Sequence, residues 1–489
     1  MKNVAVAVAA LAAAPAVLGA VTHLTDDCLE VVFKLMNNMS HYSWENGTRS
    51  QAILEWKYPQ LSVFTPNALF PVADTSNISD IVDIAHWVLL QRPQPLNQSQ
   101  EVAWLLNATH GGLPPSPSPV LPAQEGESST PARRDRAKRQ DETPTSSASA
   151  QPSATSSTPI IVPFLNNTQL PLGAPLLPDG AAGDPASLGI AVMLANMSTN
   201  NAVVNNSAYG DSATSELNYQ LYHVPRAPNG AISHRTNEVA LWADNVYMVP
   251  PFLAYYGALN NNKTLLDAAY NQISTYRSVL RNSSINLWQH IALGKEAIDP
   301  GYWATGNAWA VAGMARVIAT IKHSSFANDM KQEVSDLSAW ADEIFKASEA
   351  LVTPNGLVRN YINNASSFED STASALFAAA GLRFSTLKVT NSYVNFSLTL
   401  LKAVSHNVNS TGYVTQVTDP LKFTVEGTES PEAQSFVILA YAAYKDWDKM
   451  GKPGNTGSKK DPLTDAAGRA SVHVGAVLAV AASMFWVLA

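Results

Sequence analysis

The sequence predicts an all-α protein, an (α/α) toroid of helical hairpins closed on itself, interrupted by one segment too polar to fold. Three observations predict it. Apolar residues recur at steps of three and four in one segment after another, the mark of a helix with one buried face. No run shows sustained strict alternation, so little β-structure is expected. The helical segments follow one another on short Asn, Gly, Pro and Ser turns without a fixed-period repeat, which suits a closed ring better than an open solenoid.

The chain opens with residues 1–20, in which Lys2, the apolar run VAVAVAALAAAPAVL and the small exit Leu18-Gly19-Ala20 read as a secretory signal peptide. The alternative is an N-terminal membrane anchor. Residues 21–110 carry the first hairpins, with helical periods over 25–40 and 79–91. From 111 to 160 the composition turns to Pro, Ser, Ala and Thr, which cannot bury a core. This insertion is expected to be disordered, and its dibasic pairs Arg133-Arg134 and Lys138-Arg139 are either processing sites or a solvated charge cluster.

Residues 161–446 form the main part of the domain, with helical periods over 185–199, 238–259, 264–281, 306–323, 328–351, 371–384, 392–405 and 431–445. In the segment 238–259 the buried stripe is Val239, Trp242, Val246, Val249, Leu253 and Tyr256, with an interruption expected at Pro250-Pro251. Asp184-Pro185 and Ser430-Pro431 each offer an N-cap with proline at the first helical position. Residues 447–465 read as a stalk. Residues 466–489 end in GAVLAVAASMFWVLA, too short to span a bilayer and preceded by small residues and the spacer GRASVHV, the order of a GPI-attachment signal. A tail anchor or a buried helix is the alternative.

Charged residues make up only 14% of the chain, against about 25% in ordinary soluble domains. Thirteen N-x-[ST] sequons, at Asn38, Asn46, Asn77, Asn97, Asn107, Asn166, Asn196, Asn205, Asn262, Asn282, Asn364, Asn395 and Asn409, suggest that glycans solubilise the surface instead. Net charge of -8 argues against a nucleic-acid partner. The single Cys28 excludes a disulfide framework and Cys-rich metal sites, and no metal or organic cofactor is expected. The chain is read as a monomer, exported and held at the cell surface, on plasma membrane or cell wall, by a lipid anchor.

The residues that point to chemistry gather between Ser233 and Trp309. There Trp242, Trp288, His290, Trp303 and Trp309 are interleaved with Asp244, Asn245 and Asn307. Tryptophan faces beside carboxylates and amides suit a sugar, whose ring offers an apolar face and whose hydroxyls need hydrogen bonds. For Trp242 and Trp309 a place in the core is the competing reading. Asp244 lies among Leu241, Trp242, Val246 and Tyr247, where partial desolvation would favour a general acid; helix capping is the alternative. No G-x-S-x-G, H-E-x-x-H, Walker loop or G-x-G-x-x-G motif supports serine, zinc or nucleotide chemistry.

The stretches LWADNVYMVPPFLAYYG, LWQH, YWATGNAW, NGLVRN and SSFEDSTASALFA occur here in an order that resembles the unsaturated rhamnogalacturonyl hydrolases of glycoside hydrolase family 105. The resemblance covers roughly residues 175–445, with HYSWENGTRSQAILEWKYP supplying the first hairpin. It implies an (α/α)6 six-hairpin barrel and a hydrolase that removes a terminal 4,5-unsaturated uronic acid from pectin-derived oligosaccharides. By motif position Asp244 is the acid that protonates C4 and then activates the water adding at C5. His290 corresponds to a substrate-contacting histidine, Trp303 and Trp309 to an aromatic wall, with Trp242 and Asn307 beside them. His234 and Arg235 are placed at the pocket rim, and Asp184 is either a second carboxylate or only a helix cap. The chain departs from the pattern at Thr305, where many members carry arginine, so either Arg235, Lys295 or Arg359 grips the uronate in its place or the substrate differs from the family's usual disaccharide. A hydrolase of saturated cell-wall glycans and a non-catalytic glycan-binding surface protein are the alternatives.

Overall fold

The computed structural model describes residues 24–66, 74–92, 172–295 and 297–455. The expected signal peptide (1–20), the insertion (111–160) and the attachment tail (466–489) lie outside the described residues. Among those residues no helix is long and apolar enough to cross a membrane.

Among the described residues, twelve helices of ten or more residues alternate between an outer and an inner ring. The outer ones are α1 (Asp26–Met39), α3 (Ser79–Gln91), α5 (Tyr209–Asn218), α7 (Lys263–Leu280), α9 (Lys331–Glu349) and α11 (Val394–His406). The inner ones are α2 (Ser43–Lys57), α4 (Gly189–Thr199), α6 (Asn245–Leu259), α8 (Ala304–His323), α10 (Ser371–Thr386) and α12 (Pro431–Lys449), with a helical turn at Gly183–Ala186 leading into α4. Composition decides the ring. In α7 only Leu265, Leu266, Ala269, Gln272, Ile273, Tyr276 and Leu280 are buried, a single stripe. In α8 every residue from Ala304 to Ile321 is buried, so small and apolar side chains surround the whole helix.

The inner ring closes. Helix α2 packs on α12 and on the Gly183–Ala186 turn, α12 on α10, α10 on α8, α8 on α6, and α6 back on that turn. The seal is non-local, because α1, first in sequence, covers α12, which is last. The arrangement is the (α/α)6 toroid.

Among the described residues eight short strands occur, in four antiparallel pairs: β1 (Val203–Val204) with β2 (Ser207–Ala208), β3 (Leu241–Trp242) with β4 (Ile291–Ala292), β5 (Val358–Arg359) with β6 (Glu369–Asp370), and β7 (Val417–Asp419) with β8 (Lys422–Gly427). They brace connecting loops.

Three sequence expectations need correction. The segment 238–259 is not one helix: residues 241–242 are claimed by pairing with 291–292, and α6 starts only at Asn245. That helix then runs straight through Pro250-Pro251. Proline removes the N–H that would bond four residues back, leaving the Val246 carbonyl free. Gly313 of α8 packs there, where a Cβ would lie 2.2 Å from Val246 O, so only glycine allows the two inner helices this approach. The expected stalk begins too early, since α12 continues to Lys449 and Trp447 is fully buried, its Nε1 donating to Pro453 O at 2.9 Å. Finally, helix α2 carries no strong apolar period and escaped the pattern, and so did α5, which is only ten residues long.

Candidate active site

All six inner elements present their N-terminal ends to the same mouth, and each contributes to one cavity of about 230 Å³. Trp44 comes from the start of α2, Asp184 from the Gly183–Ala186 turn, Asp244 from the residue before α6, Trp303 and Thr305 from the start of α8, Thr372 from α10, and Ser430 and Glu432 from α12. Converging helix N-termini bring positive dipole ends to one place, a field that favours an anion.

Eight of the nine residues singled out from sequence line this cavity: Asp184, His234, Arg235, Trp242, Asp244, His290, Trp303 and Trp309. Asn307 does not. It sits one turn deeper, fully buried, where its Oδ1 accepts from Trp288 N and its Nδ2 donates to Trp288 O and Trp303 O, all at 2.9 Å. Its amide is spent on fixing the loop ahead of α8, which leaves nothing for a sugar.

Neither aspartate caps a helix through its side chain. Asp244 occupies the N-cap position of α6 and Asp184 lies inside its helical turn, yet neither carboxylate bonds a first-turn N–H. Both turn instead to His234. Its Nε2 is 3.9 Å from Asp184 Oδ1 and its Nδ1 is 3.8 Å from Asp244 Oδ2. Beyond Asp244, His290 Nε2 stands 4.0 Å from Oδ1. These gaps exceed hydrogen-bond length. His234 Nδ1, Asp244 Oδ1, His290 Nε2, Trp242 Nε1 and Asn245 Oδ1 are all buried without a hydrogen-bond partner. Buried polar atoms are normally paired, so five orphans in one spot mark a place shaped for something else. Gly183 keeps it open, since a Cβ there would lie 1.8 Å from Asn245 Oδ1 and 3.3 Å from His234 Nδ1.

Burial holds the Asp184 carboxyl well above its ordinary value, the Asp179 and Asp244 charges adding to the shift and Arg235 opposing it. Burial also depresses His234, which remains neutral, with Asp244 working the other way. The oxygens of Asp184 and Asp244 and the nitrogen of His234 come within 4.8 Å of one another, a set that could ligate a metal ion.

Aromatic walls surround the carboxylates. Trp242 stacks on His234 with centroids 4.8 Å apart, and Trp303 and Phe423 lie 4.3 and 4.6 Å from the His290 ring. Asn360 pins this wall, its Oδ1 accepting from Trp303 Nε1 at 2.9 Å and from Thr418 Oγ1 at 2.7 Å. Trp309 forms the floor, packed on Tyr247 and Phe436. Arg235 is the one Lys or Arg among the lining residues; Lys295 and Arg359 are not among them. Thr305 cannot replace an arginine, and its hydroxyl is already given to Asp370 Oδ2 at 3.2 Å, the residue that caps α10.

Several lining residues escaped the sequence reading, among them Trp44, Phe423 and Glu432. Trp44 donates to Glu432 Oε1 at 2.5 Å, and Ser430 Oγ donates to Oε2 at 3.0 Å. Burial, with the Glu45 charge adding, pushes the Glu432 carboxyl up to about 7. Phe423 arrives on the β7–β8 hairpin. The short alternation in KFTVEG after Asp419-Pro420 was its signal; Glu432 showed only as part of a cap.

The Glycosyl Hydrolase Family 88 model matches residues 190–426, a span that holds His234 through Phe423. No curated protein matches the chain in sequence. Among solved structures the chain is similar to a possible member of the GH105 family from Salmonella enterica serovar Paratyphi A, at 16% identity over 53% of this chain and 70% of that one, TM-score 0.47. It is also similar to a family 105 glycoside hydrolase from C. acetobutylicum, at 14% identity over 54% and 80%, TM-score 0.46. A third similar structure is an unsaturated glucuronyl hydrolase from Bacillus sp. GL1, at 15% identity over 54% and 74%, TM-score 0.38.

Proposed function

We propose that this chain, whose residues 190–426 match the Glycosyl Hydrolase Family 88 model, is a glycoside hydrolase that removes the terminal 4,5-unsaturated uronic acid from rhamnogalacturonan-type oligosaccharides. The observation that carries the proposal is the group of orphaned polar atoms around Asp244 inside an aromatic cleft at six helix N-termini.

Asp244 gives its proton to C4 of the double bond, and positive charge develops at C5. Water then adds its oxygen to C5 and loses a proton to Asp244, which restores the acid. The hemiketal formed opens and releases the rest of the chain. Asp184, held neutral by burial, can donate a hydrogen bond without adding a second negative charge beside Asp244. Arg235 and the helix N-termini meet the sugar carboxylate. The aromatic walls take the ring face.

The short distance between the carboxylates supports this scheme over an inverting hydrolase of saturated glycans. An inverting pair stands about 6.5–9.5 Å apart to admit water, whereas one oxygen of Asp184 and one of Asp244 lie within 4.8 Å. Export, N-glycosylation and a GPI anchor complete the proposal, and would place the enzyme at the cell surface. In the fold Asn46 is buried and its Nδ2 donates to Tyr42 O at 2.8 Å, so glycan attachment is assigned to exposed sequons such as Asn262, Asn364 and Asn409.

The test follows the ultraviolet absorbance of the conjugated double bond in lyase digests of rhamnogalacturonan and, separately, of a glucuronan. Wild type is expected to bleach the first and Asp244→Asn neither. Bleaching of only the glucuronan digest moves the substrate; bleaching of neither by wild type sinks the activity.

A further inference from the structure

We propose that Asp299 is a positioning residue for this reaction: it holds His290 with its proton on Nδ1, so that Nε2 is a fixed acceptor beside Asp244. The inference rests on the activity proposed above.

Asp299 precedes Gly301-Tyr302-Trp303 in the loop leading to α8. Its Oδ2 lies 2.9 Å from His290 Nδ1. The same oxygen accepts from Tyr361 Oη at 2.5 Å, and Oδ1 accepts from Gly301 N at 2.9 Å. Partial burial opposes ionisation of this carboxyl, but the donors from His290, Tyr361 and Gly301 outweigh it and leave it below its ordinary value. An ionised carboxylate can only accept, so His290 must carry hydrogen on Nδ1. In the neutral ring Nε2 is then a lone pair.

The ring has no freedom to exchange its nitrogens. Its side chain is fully buried, with Trp303, Phe423 and Trp242 at centroid distances of 4.3, 4.6 and 5.4 Å. The backbone is tied on both sides: His290 N donates to Gly301 O and Ala243 N donates to His290 O, each at 2.9 Å. The charged groups that face the imidazole are Asp299 from the loop and Asp244 from the start of α6; the aromatic faces bring none.

Nε2 and Asp244 Oδ1 stand 4.0 Å apart, both buried and without a protein partner. That gap is too long for a direct bond and lets one O–H-bearing group touch both. A water there donates one hydrogen to Nε2 and the other to the carboxylate left after Asp244 has protonated C4. As the water oxygen bonds to C5, its proton passes to Asp244 Oδ1 and the hydrogen on Nε2 keeps it oriented. With the opposite tautomer Nε2–H would donate to that water, and its lone pairs would be turned away from C5.

The experiment is nitrogen-15 NMR of the histidine rings in the ligand-free protein, with steady-state kinetics against pH, for wild type, Asp299→Asn, Asp299→Leu and Asp299→Glu. Wild type is expected to show Nδ1–H at His290. Asp299→Leu is expected to lose that preference and to lower kcat about 10- to 100-fold with KM little changed. Asp299→Glu restores part of kcat. If the leucine variant does not fold, the isosteric asparagine carries the test, with the Nδ1–H preference weakened and kcat lowered in the same direction. Nε2–H in the wild type overturns the assignment whatever the activity. A loss of kcat with the tautomer unchanged also overturns it, because a purely structural role would give that result. A wild type inert on both digests overturns the activity, and the tautomer signal separates that failure from this one.

Discussion

The two ends of the barrel bury the same kinds of groups and use them in opposite ways. At the C-terminal ends of the inner helices, Glu55 of α2 accepts from Arg316 of α8 and from Arg383 Nε and Nη2 of α10 at 3.1 and 2.7 Å. Arg316 also reaches Gln51 at 2.8 Å and Arg383 reaches Asp446 of α12 at 2.6 Å, while both guanidinium groups lie over the Phe64 ring. Each donor fork has a partner, and cations there also suit the negative ends of the helices. At the other end His234, Asp244 and His290 keep polar atoms unpaired. A satisfied buried network staples the ring, and an unsatisfied one waits for a ligand. The costs of the second kind are borne by the first and by the apolar walls between them.

The comparison can be broken at either end. The largest effect is expected at the mouth: Asp244→Asn should lower turnover by about 10³-fold or more while leaving the melting temperature nearly unchanged, because the side chain it replaces has a buried oxygen with no protein partner. A large loss of stability would mean that Asp244 is part of the staple. At the far end Glu55→Gln should do the reverse. It leaves two buried guanidinium groups short of a counter-charge and should cost about 3–5 kcal/mol in denaturant unfolding, with turnover of the folded fraction preserved.

A smaller effect tests the polarity of the mouth. Arg235→Gln should reduce kcat/KM about 10- to 100-fold on acidic digests and far less on methyl-esterified ones, the loss of one charge-assisted bond.

The smallest is a pH effect. Glu432 moves from 4.5 to about 7 on folding, so the folded state holds the proton more tightly than the unfolded chain. Its contribution is therefore fully present below about 4.5 and is lost as pH rises through 7. Glu432→Gln should flatten the decline in stability between pH 5 and pH 8 by ~1–3 kcal/mol, read from unfolding curves at both values. The exposed pair Glu30–Lys34 serves as the blank, since Lys34→Ala should change stability by no more than about 0.5 kcal/mol.

How much of this could be read in the residues differed by ring. Outer helices such as α7 and α9 write their buried stripe directly into the sequence. Helix α2 was invisible to periodicity because its buried residues include Ser43, Glu45, Asn46, Thr48, Ser50, Gln51 and Glu55, polar groups that serve the mouth at one end and the arginine network at the other. The same logic left the reading of Asp184 open. An aspartate before proline has the local pattern of a cap, and only the approach of His234 from fifty residues downstream turns its carboxylate into the cavity. Asn307 erred in the other direction: its neighbours Trp303 and Trp309 line the cleft, but the helix points its amide at the backbone.

The sequence by itself determined the helical class, the short-turn succession of hairpins and the cluster of Trp, His and Asp between 233 and 309, because period and local spacing are properties of the chain. The tertiary structure alone decided that Trp44, Asp184, Asp244, Phe423 and Glu432 share one cavity. Closing six inner helices into a ring sends every N-terminus to the same mouth, and that convergence is created by packing across the whole chain rather than by any neighbouring residues.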